Sequence, residues 1–267
     1  MHPNGLGSTG KGVSVTPQVL ILGGTGEARQ LAAHLVGRGV RVTSSLAGRV
    51  SRPQLPEGEV RVGGFGGIDG LADWLRREEV RAVVDATHPF ARTMSEHAAR
   101  ATAATGTPVL ALRRRPWQPV PGDDWRPVSS LEDAAALLPD LGDRILLTTG
   151  RQELAHFAAL RDQHFVIRTV EPPEPPLPPH VTTLLSRGPF TTDGELELLR
   201  EHRIDAVVTK NSGGTMTTAK LTAARELGLP VVMVQRPPVP EVPEVGTVEE
   251  AVERLGVTVT SPGTGGE

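Results

Sequence analysis

The chain contains no cysteine, so disulfides, thiolate metal sites, iron–sulfur clusters and cysteine nucleophiles are excluded. It has no tyrosine either, which removes the Tyr-x-x-x-Lys proton-donor arrangement of the short-chain dehydrogenases. Lysine is scarce: Lys11, Lys210 and Lys220 stand against 25 arginines, and a lysine inside a motif is therefore conspicuous. No stretch approaches the roughly 20 continuous apolar residues of a membrane-spanning helix. A basic excess is also missing, the formal charge being -3, so neither nucleic acid nor a membrane is an expected partner. Residues 1–16 lack the apolar core of a secretory signal and read as a disordered extension, which leaves the cytoplasm as the expected location. The eight histidines form neither H-x-H nor H-E-x-x-H spacing, and no metal site is expected. A G-x-S-x-G elbow is absent, which disfavours an α/β-hydrolase.

What is present is an alternation. Short β-branched runs (Val19–Leu22, Val40–Leu46, Glu59–Val62, Arg81–Asp85, Val109–Leu112) are separated by amphipathic stretches, the pattern of parallel βαβ units. Pro89 sits where a helix is expected to begin. Residues 113–127, rich in Arg, Pro and Trp, read as a crossover. A second alternation follows: helix 131–137, strand 144–148, helix 152–160, strand 165–169, a Pro-rich linker 172–179, a helix introduced by the capping-box spacing Thr192-Asp193-Gly194-Glu195, strand 206–209, helix 215–227, strand 231–234 and a terminal helix 247–255. The expected fold is α/β, two doubly wound, Rossmann-like parallel-sheet domains with a cleft between them. The expected boundaries are 17–116 and 117–258, with 259–267 a disordered tail.

In open α/β sheets ligands bind beyond the carboxyl ends of the strands, and the candidate residues fall there. Gly23-Gly24-Thr25-Gly26-Glu27 follows the first strand; such glycines let a pyrophosphate approach the N–H groups at a helix start, or simply form a tight turn. At the end of the second strand, where NAD-binding folds carry a carboxylate, the chain reads Ser44-Ser45-Leu46-Ala47-Gly48-Arg49. Ser45 with Arg49 fits a ribose 2′-phosphate, hence NADPH; a solvated surface arginine is the alternative. Asp85, Thr87 and His88 can form an acid–base and nicotinamide site, or can cap a helix and tie down a loop. Lys210-Asn211-Ser212-Gly213-Gly214 can cradle phosphate or carboxylate, and it lacks P-loop order. Arg151 and Arg187 can clamp substrate carboxylates, or can be turn residues.

Taken together, Leu22-Gly23-Gly24-Thr25 with Glu27-Ala28, Ala47-Gly48-Arg49, Arg61-Val62-Gly63-Gly64-Phe65-Gly66-Gly67, Asp85-Ala86-Thr87-His88-Pro89-Phe90-Ala91, Arg187-Gly188-Pro189-Phe190 and Val208-Thr209-Lys210-Asn211-Ser212-Gly213-Gly214 resemble the precorrin-6A reductases of cobalamin biosynthesis. The resemblance spans about residues 18–237. It implies NADPH-dependent reduction of a ring double bond of precorrin-6A, giving precorrin-6B; separately, a monomer or small homo-oligomer is expected. Lys210, Asp85 and His88 are the candidate catalytic residues. Gly23 to Glu27, Ser45, Arg49, Thr87 and Asn211 to Gly214 are the candidate cofactor contacts, and Arg151 and Arg187 the candidate substrate contacts. Alternatives are the cobalt-precorrin-6A reductase of the anaerobic branch and a non-catalytic NADP-binding sensor.

Overall fold

The computed structural model describes residues 18–48 and 54–256. It contains two six-stranded parallel sheets flanked by helices. The first half runs β1 (Gln18–Leu22), α1 (Gly26–Val36), β2 (Arg41–Leu46), β3 (Glu59–Val62), α2 (Gly67–Arg77), β4 (Val80–Asp85), α3 (Arg92–Thr105) and β5 (Val109–Leu112). Every residue of β1 is buried, as a central strand covered on both faces requires. Val19 and Ile21 pack with Leu31 and Leu35 of α1 on one face, and Leu20 and Leu22 with Leu71 and Leu75 of α2 on the other. Thr25 caps α1: its hydroxyl accepts from the Ala28 N–H at 3.1 Å and donates to the Ala86 carbonyl at 2.8 Å. That cap stabilises the helix by about 1 kcal/mol and pins the first loop against the end of β4.

The second half runs β6 (Trp125–Val128), α4 (Leu131–Leu137), β7 (Arg144–Leu147), β8 (His164–Thr169), β9 (Val181–Leu185), α5 (Thr192–Glu201), β10 (Ala206–Lys210), α6 (Ala219–Glu226) and β11 (Val231–Val234), followed by β12 (Glu244–Val245) and α7 (Val248–Arg254). Strand order is β12-β5-β4-β1-β2-β3 in one sheet and β6-β11-β10-β7-β8-β9 in the other. Both are the doubly wound 3-2-1-4-5 order with a sixth edge strand, and the sixth strands are exchanged. β6 follows β5 in sequence yet pairs with β11, while β12 follows β11 and pairs with β5.

The exchange corrects the expected grouping of 117–258. The Pro-rich stretch after β11 carries the chain back, and Val248, Ala251 and Val252 of α7 are buried in the first core beside α1.

Local differences have local causes. α3 starts at Arg92, not Pro89, because the Ala91 N–H closes a turn onto the His88 carbonyl at 2.7 Å. The expected helix 152–160 is a 3₁₀ turn over Arg151–Phe157 whose buried residues, Leu154 and Phe157, are three apart, the spacing that eclipses in that geometry. Thr191, one residue earlier than expected, caps α5 through the Gly194 N–H at 3.2 Å; Glu195 is drawn inward to Arg168 instead of completing a capping box. α6 begins only at Ala219, because the residues after Gly214 turn back so that the Thr218 hydroxyl meets the Gly214 carbonyl at 2.7 Å. Among the described residues no helix is long and apolar enough to cross a membrane.

Candidate active site

In a doubly wound sheet the ligand crevice opens where the strand order reverses. Those points are β1/β4 in the first sheet and β7/β10 in the second. The loops after all four strands face one cleft of about 670 Å³, lined by Gly24 to Glu27, His88, Thr148 to Glu153, Lys210 and Ser212 to Thr217. The two halves therefore present their crevices to each other.

On the first-half wall, Gly24 has φ +116° and open space where a Cβ would project. The loop backbone and the start of α1 are thus free to meet a phosphate. Glu27, expected to touch cofactor, instead gives its carboxylate to Arg114 at 2.9 and 3.1 Å. Arg114 also donates from Nε to the Ser212 carbonyl at 2.7 Å, so it joins the first loop to its counterpart in the second half. Gly213, at φ +68°, lies so close to the crossover that a Cβ would sit 2.1 Å from the Arg115 carbonyl oxygen. Asn211, also expected at the cofactor, is buried and brackets Trp117: Oδ1 accepts from its N–H at 2.8 Å and Nδ2 donates to its carbonyl at 3.1 Å. A buried amide placed beside a crossover backbone satisfies that backbone first.

His88 presents its ring to the cleft. Desolvation there, then the positive charges of Arg114, Lys210 and Arg236, push its pKa down to about 3. Its Nδ1 accepts from the Phe90 N–H at 3.3 Å, which places the proton of the neutral ring on Nε2. Lys210 is buried at the end of β10, 2.8 Å from Glu153 and 5.2 Å from the centre of the Phe90 ring. Asp85, expected beside His88 in the chemistry, has a different place. It is 2% exposed, accepts from the Thr87 and Ser95 hydroxyls at 2.6 Å each and pairs with Arg113 at 3.2 Å. Its carboxylate holds the β4 end to α3 and β5 and is not on the cleft wall, and Thr87 is committed to it.

The second-half wall is cationic. Arg187 is exposed there and, among the described residues, has no ion-pair partner. Arg151 pairs with Glu171 at 3.3 Å and Glu174 at 3.6 Å. Two wall residues went unread in the sequence. Arg168 is buried in β8, bonded to Glu195 at 2.6 Å and lying 3.9 Å over the Phe190 ring. Lys220 is 3% exposed at the start of α6, donating to the Thr217 carbonyl at 2.9 Å. Burial first, then Arg168, against the pull of Glu195, lowers its pKa to about 7. A charged residue inside the apolar run Phe165–Thr169 was the available signal for Arg168; Lys220 sits in a helix with no loop motif to mark it.

Ser45 lies at the end of β2, away from the cleft lining, where its hydroxyl meets Arg61 at 2.8 Å. Arg49 lies outside the described residues.

A family profile described as Precorrin-6x reductase CbiJ/CobK matches residues 18–256. The precorrin-6A reductase of Rhodococcus erythropolis is 56% identical over 234 residues, 87% of this chain and 94% of its own. A solved structure described as CobK precorrin-6A reductase is 45% identical, with a TM-score of 0.85 over 90% of this chain and 96% of its own. The cobalt-precorrin-6A reductase of Priestia megaterium is 31% identical over 250 residues, 89% of this chain and 97% of its own.

Proposed function

The chain belongs to the precorrin-6x reductase CbiJ/CobK family, and from that premise we propose that it reduces a ring double bond of precorrin-6A to give precorrin-6B, with NADPH as hydride donor, in cobalamin biosynthesis. The observation that carries the reading is the facing pair of switch-point crevices, glycine-lined on one wall and cationic on the other. Higher identity to the R. erythropolis precorrin-6A enzyme than to the P. megaterium cobalt-precorrin enzyme favours the metal-free substrate. We place the activity in the cytoplasm, in a monomer or small homo-oligomer.

The residues fit a dinucleotide: Gly24 leaves open the space a Cβ would fill, at the start of a capped helix whose N–H groups suit a pyrophosphate. When bound, the dihydronicotinamide supplies the hydride. The chain contributes placement and charge. Backbone at Gly23 to Gly26 would hold the pyrophosphate, with Ser45 and Arg49 toward the ribose. Ser212, Gly213 and Gly214 would close over the cofactor from the other half, held in register by Arg114. His88 is a neutral imidazole at working pH and would offer Nε2–H to the nicotinamide end as a hydrogen-bond donor. Arg151, Arg187, Arg168, Lys210 and Lys220 would pair with the acetate and propionate arms of the macrocycle. Solvent would deliver the proton that completes the reduction.

The test is NADPH oxidation at 340 nm with and without enzymatically generated precorrin-6A, with NADH as control. Substrate-dependent NADPH loss and a product two mass units heavier are expected. Cofactor binding without turnover of active substrate would overturn the reading and leave the cobalt-containing substrate first and the sensor second.

A further inference from the structure

Outside the cleft, the carboxyl ends of β2 and β3 carry a second polar cluster. Register places Leu22 beside Ser45 and Ser45 beside Arg61. Arg61 is thus two strands, about 10 Å, from the start of the first glycine loop. Its guanidinium is fixed on four neighbours: Nη1 donates to the Ser45 hydroxyl at 2.8 Å and the Gly63 carbonyl at 3.0 Å, Nη2 to the Gly64 carbonyl at 2.9 Å, and the Phe65 ring lies 3.7 Å away. Phe65 in turn packs edge-on against Trp74 at 5.5 Å.

None of these neighbours is an anion. Among the described residues no carboxylate lies within ion-pair distance of Arg61, although arginines nearby, such as Arg41 with Glu59, do have such partners. Burial pulls the Arg61 pKa below the usual guanidinium value, but a guanidinium stays charged in a protein, so a partly desolvated positive charge is held still with no carboxylate beside it among the described residues. The surface around it is open: a Cβ at Gly63, Gly64 or Gly66 would meet nothing within 4 Å, as at Gly24 on the other loop. A ligand can therefore lie close to the backbone from one glycine loop to the other.

In dinucleotide folds the end of β2 reads the adenosine ribose, and a carboxylate there accepts from a free 2′-hydroxyl. Here that position is a serine, and the group across from it is a guanidinium, the donor geometry suited to a phosphate. We propose that Arg61, positioned by Ser45 and Phe65, receives the 2′-phosphate of the adenosine ribose and is the residue that selects a 2′-phosphorylated dinucleotide. The assignment rests on the dinucleotide reading above and needs nothing from Arg49.

The test uses fragments without nicotinamide, so that it reads binding and not turnover: 2′-phospho-ADP-ribose and ADP-ribose, titrated calorimetrically into wild-type protein, Arg61→Gln and Arg61→Lys. Wild type should prefer the 2′-phosphorylated fragment. Arg61→Gln should lose about tenfold or more for it and stay within about twofold for ADP-ribose; Arg61→Lys should recover part of the preference. Equal loss for both fragments would reduce Arg61 to a support of the ledge, and an intact preference in Arg61→Gln would move the site elsewhere; either overturns the assignment while leaving the dinucleotide reading in place. Wild-type protein that binds neither fragment would bring down both.

Discussion

Lys220 gives the most demanding prediction. Its ammonium is buried at the N-terminal turn of α6, where the helix dipole is also unfavourable to a cation, with Arg168 close by and only Glu195 opposing. An unfolded lysine ionises near 10.5, the folded one near 7. Between those values the unfolded chain binds a proton that the folded chain does not, so stability rises with pH across that window. At about 1.4 kcal/mol per pH unit, the change between pH 7 and 9.5 is on the order of 3 kcal/mol. Lys220→Met keeps the length of the stem and removes the charge. In urea unfolding followed by circular dichroism from pH 6 to 9.5, the variant should be the more stable protein at pH 6, and its advantage should shrink by on the order of 3 kcal/mol by pH 9.5. Using the difference between the two proteins cancels groups that titrate alike in both. A constant difference across the range would mean that the ammonium stays charged in the fold, and the argument from burial would fail. An anionic arm bound beside Lys220 should restore its charge, so substrate binding at pH 8 should be accompanied by proton uptake, visible as a dependence of the binding enthalpy on buffer.

Asp85→Asn should lower unfolding stability by about 2–4 kcal/mol, because it leaves the buried Arg113 guanidinium with only the half-exposed Glu244; lost turnover at unchanged stability would return Asp85 to the chemistry. Gly213→Ala should prevent normal folding, since its Cβ would meet the Arg115 backbone, whereas Gly24→Ala should fold, with about 1–3 kcal/mol of backbone strain, and lose dinucleotide affinity; expression, thermal melts and NADPH titration separate the two, and similar behaviour would refute the reading of both glycines. Arg187→Ala should raise the KM for the tetrapyrrole about tenfold with little change in kcat or in the KM for NADPH, and an unchanged substrate KM would remove Arg187 from the site.

The central strands and first helices were legible because their periodicity is uninterrupted: Val19 to Leu22 and Ala206 to Thr209 admit no other reading. Of the edge strands, Glu59–Val62 was legible, but Trp125–Val128, Val181–Leu185 and Glu244–Val245 were not. Trp125-Arg126-Pro127-Val128 contains a proline, tolerated because β6 lies at a sheet edge, and β12 is two residues long in a Pro-rich stretch. Strand exchange has no local signature at all, since it depends on which edge a short strand reaches. Of the candidates read at strand ends and the loops after them, His88, Lys210, Arg151 and Arg187 line one cleft. The sequence could not separate polar groups facing the ligand from those facing the fold. Asp85 and Asn211 occupy motif positions yet are saturated by protein partners, while Arg168 and Lys220 reach the cleft from the interior of a strand and the first turn of a helix.

The exchanged edge strands also govern how the cleft can move. The chain crosses between the halves twice, over 113–124 and 235–243, and Arg236 staples the second crossing to the first by donating to the Arg114 carbonyl at 2.9 Å. Two tethers bound side by side act like the leaves of a door hinge: they permit rotation about the line joining them and resist sliding or twisting of one half against the other. The same geometry makes the halves inseparable by a single cut. Cleavage in either crossing leaves the other intact, and the carboxyl-terminal fragment still carries β12, paired with β5 in the other fragment's sheet.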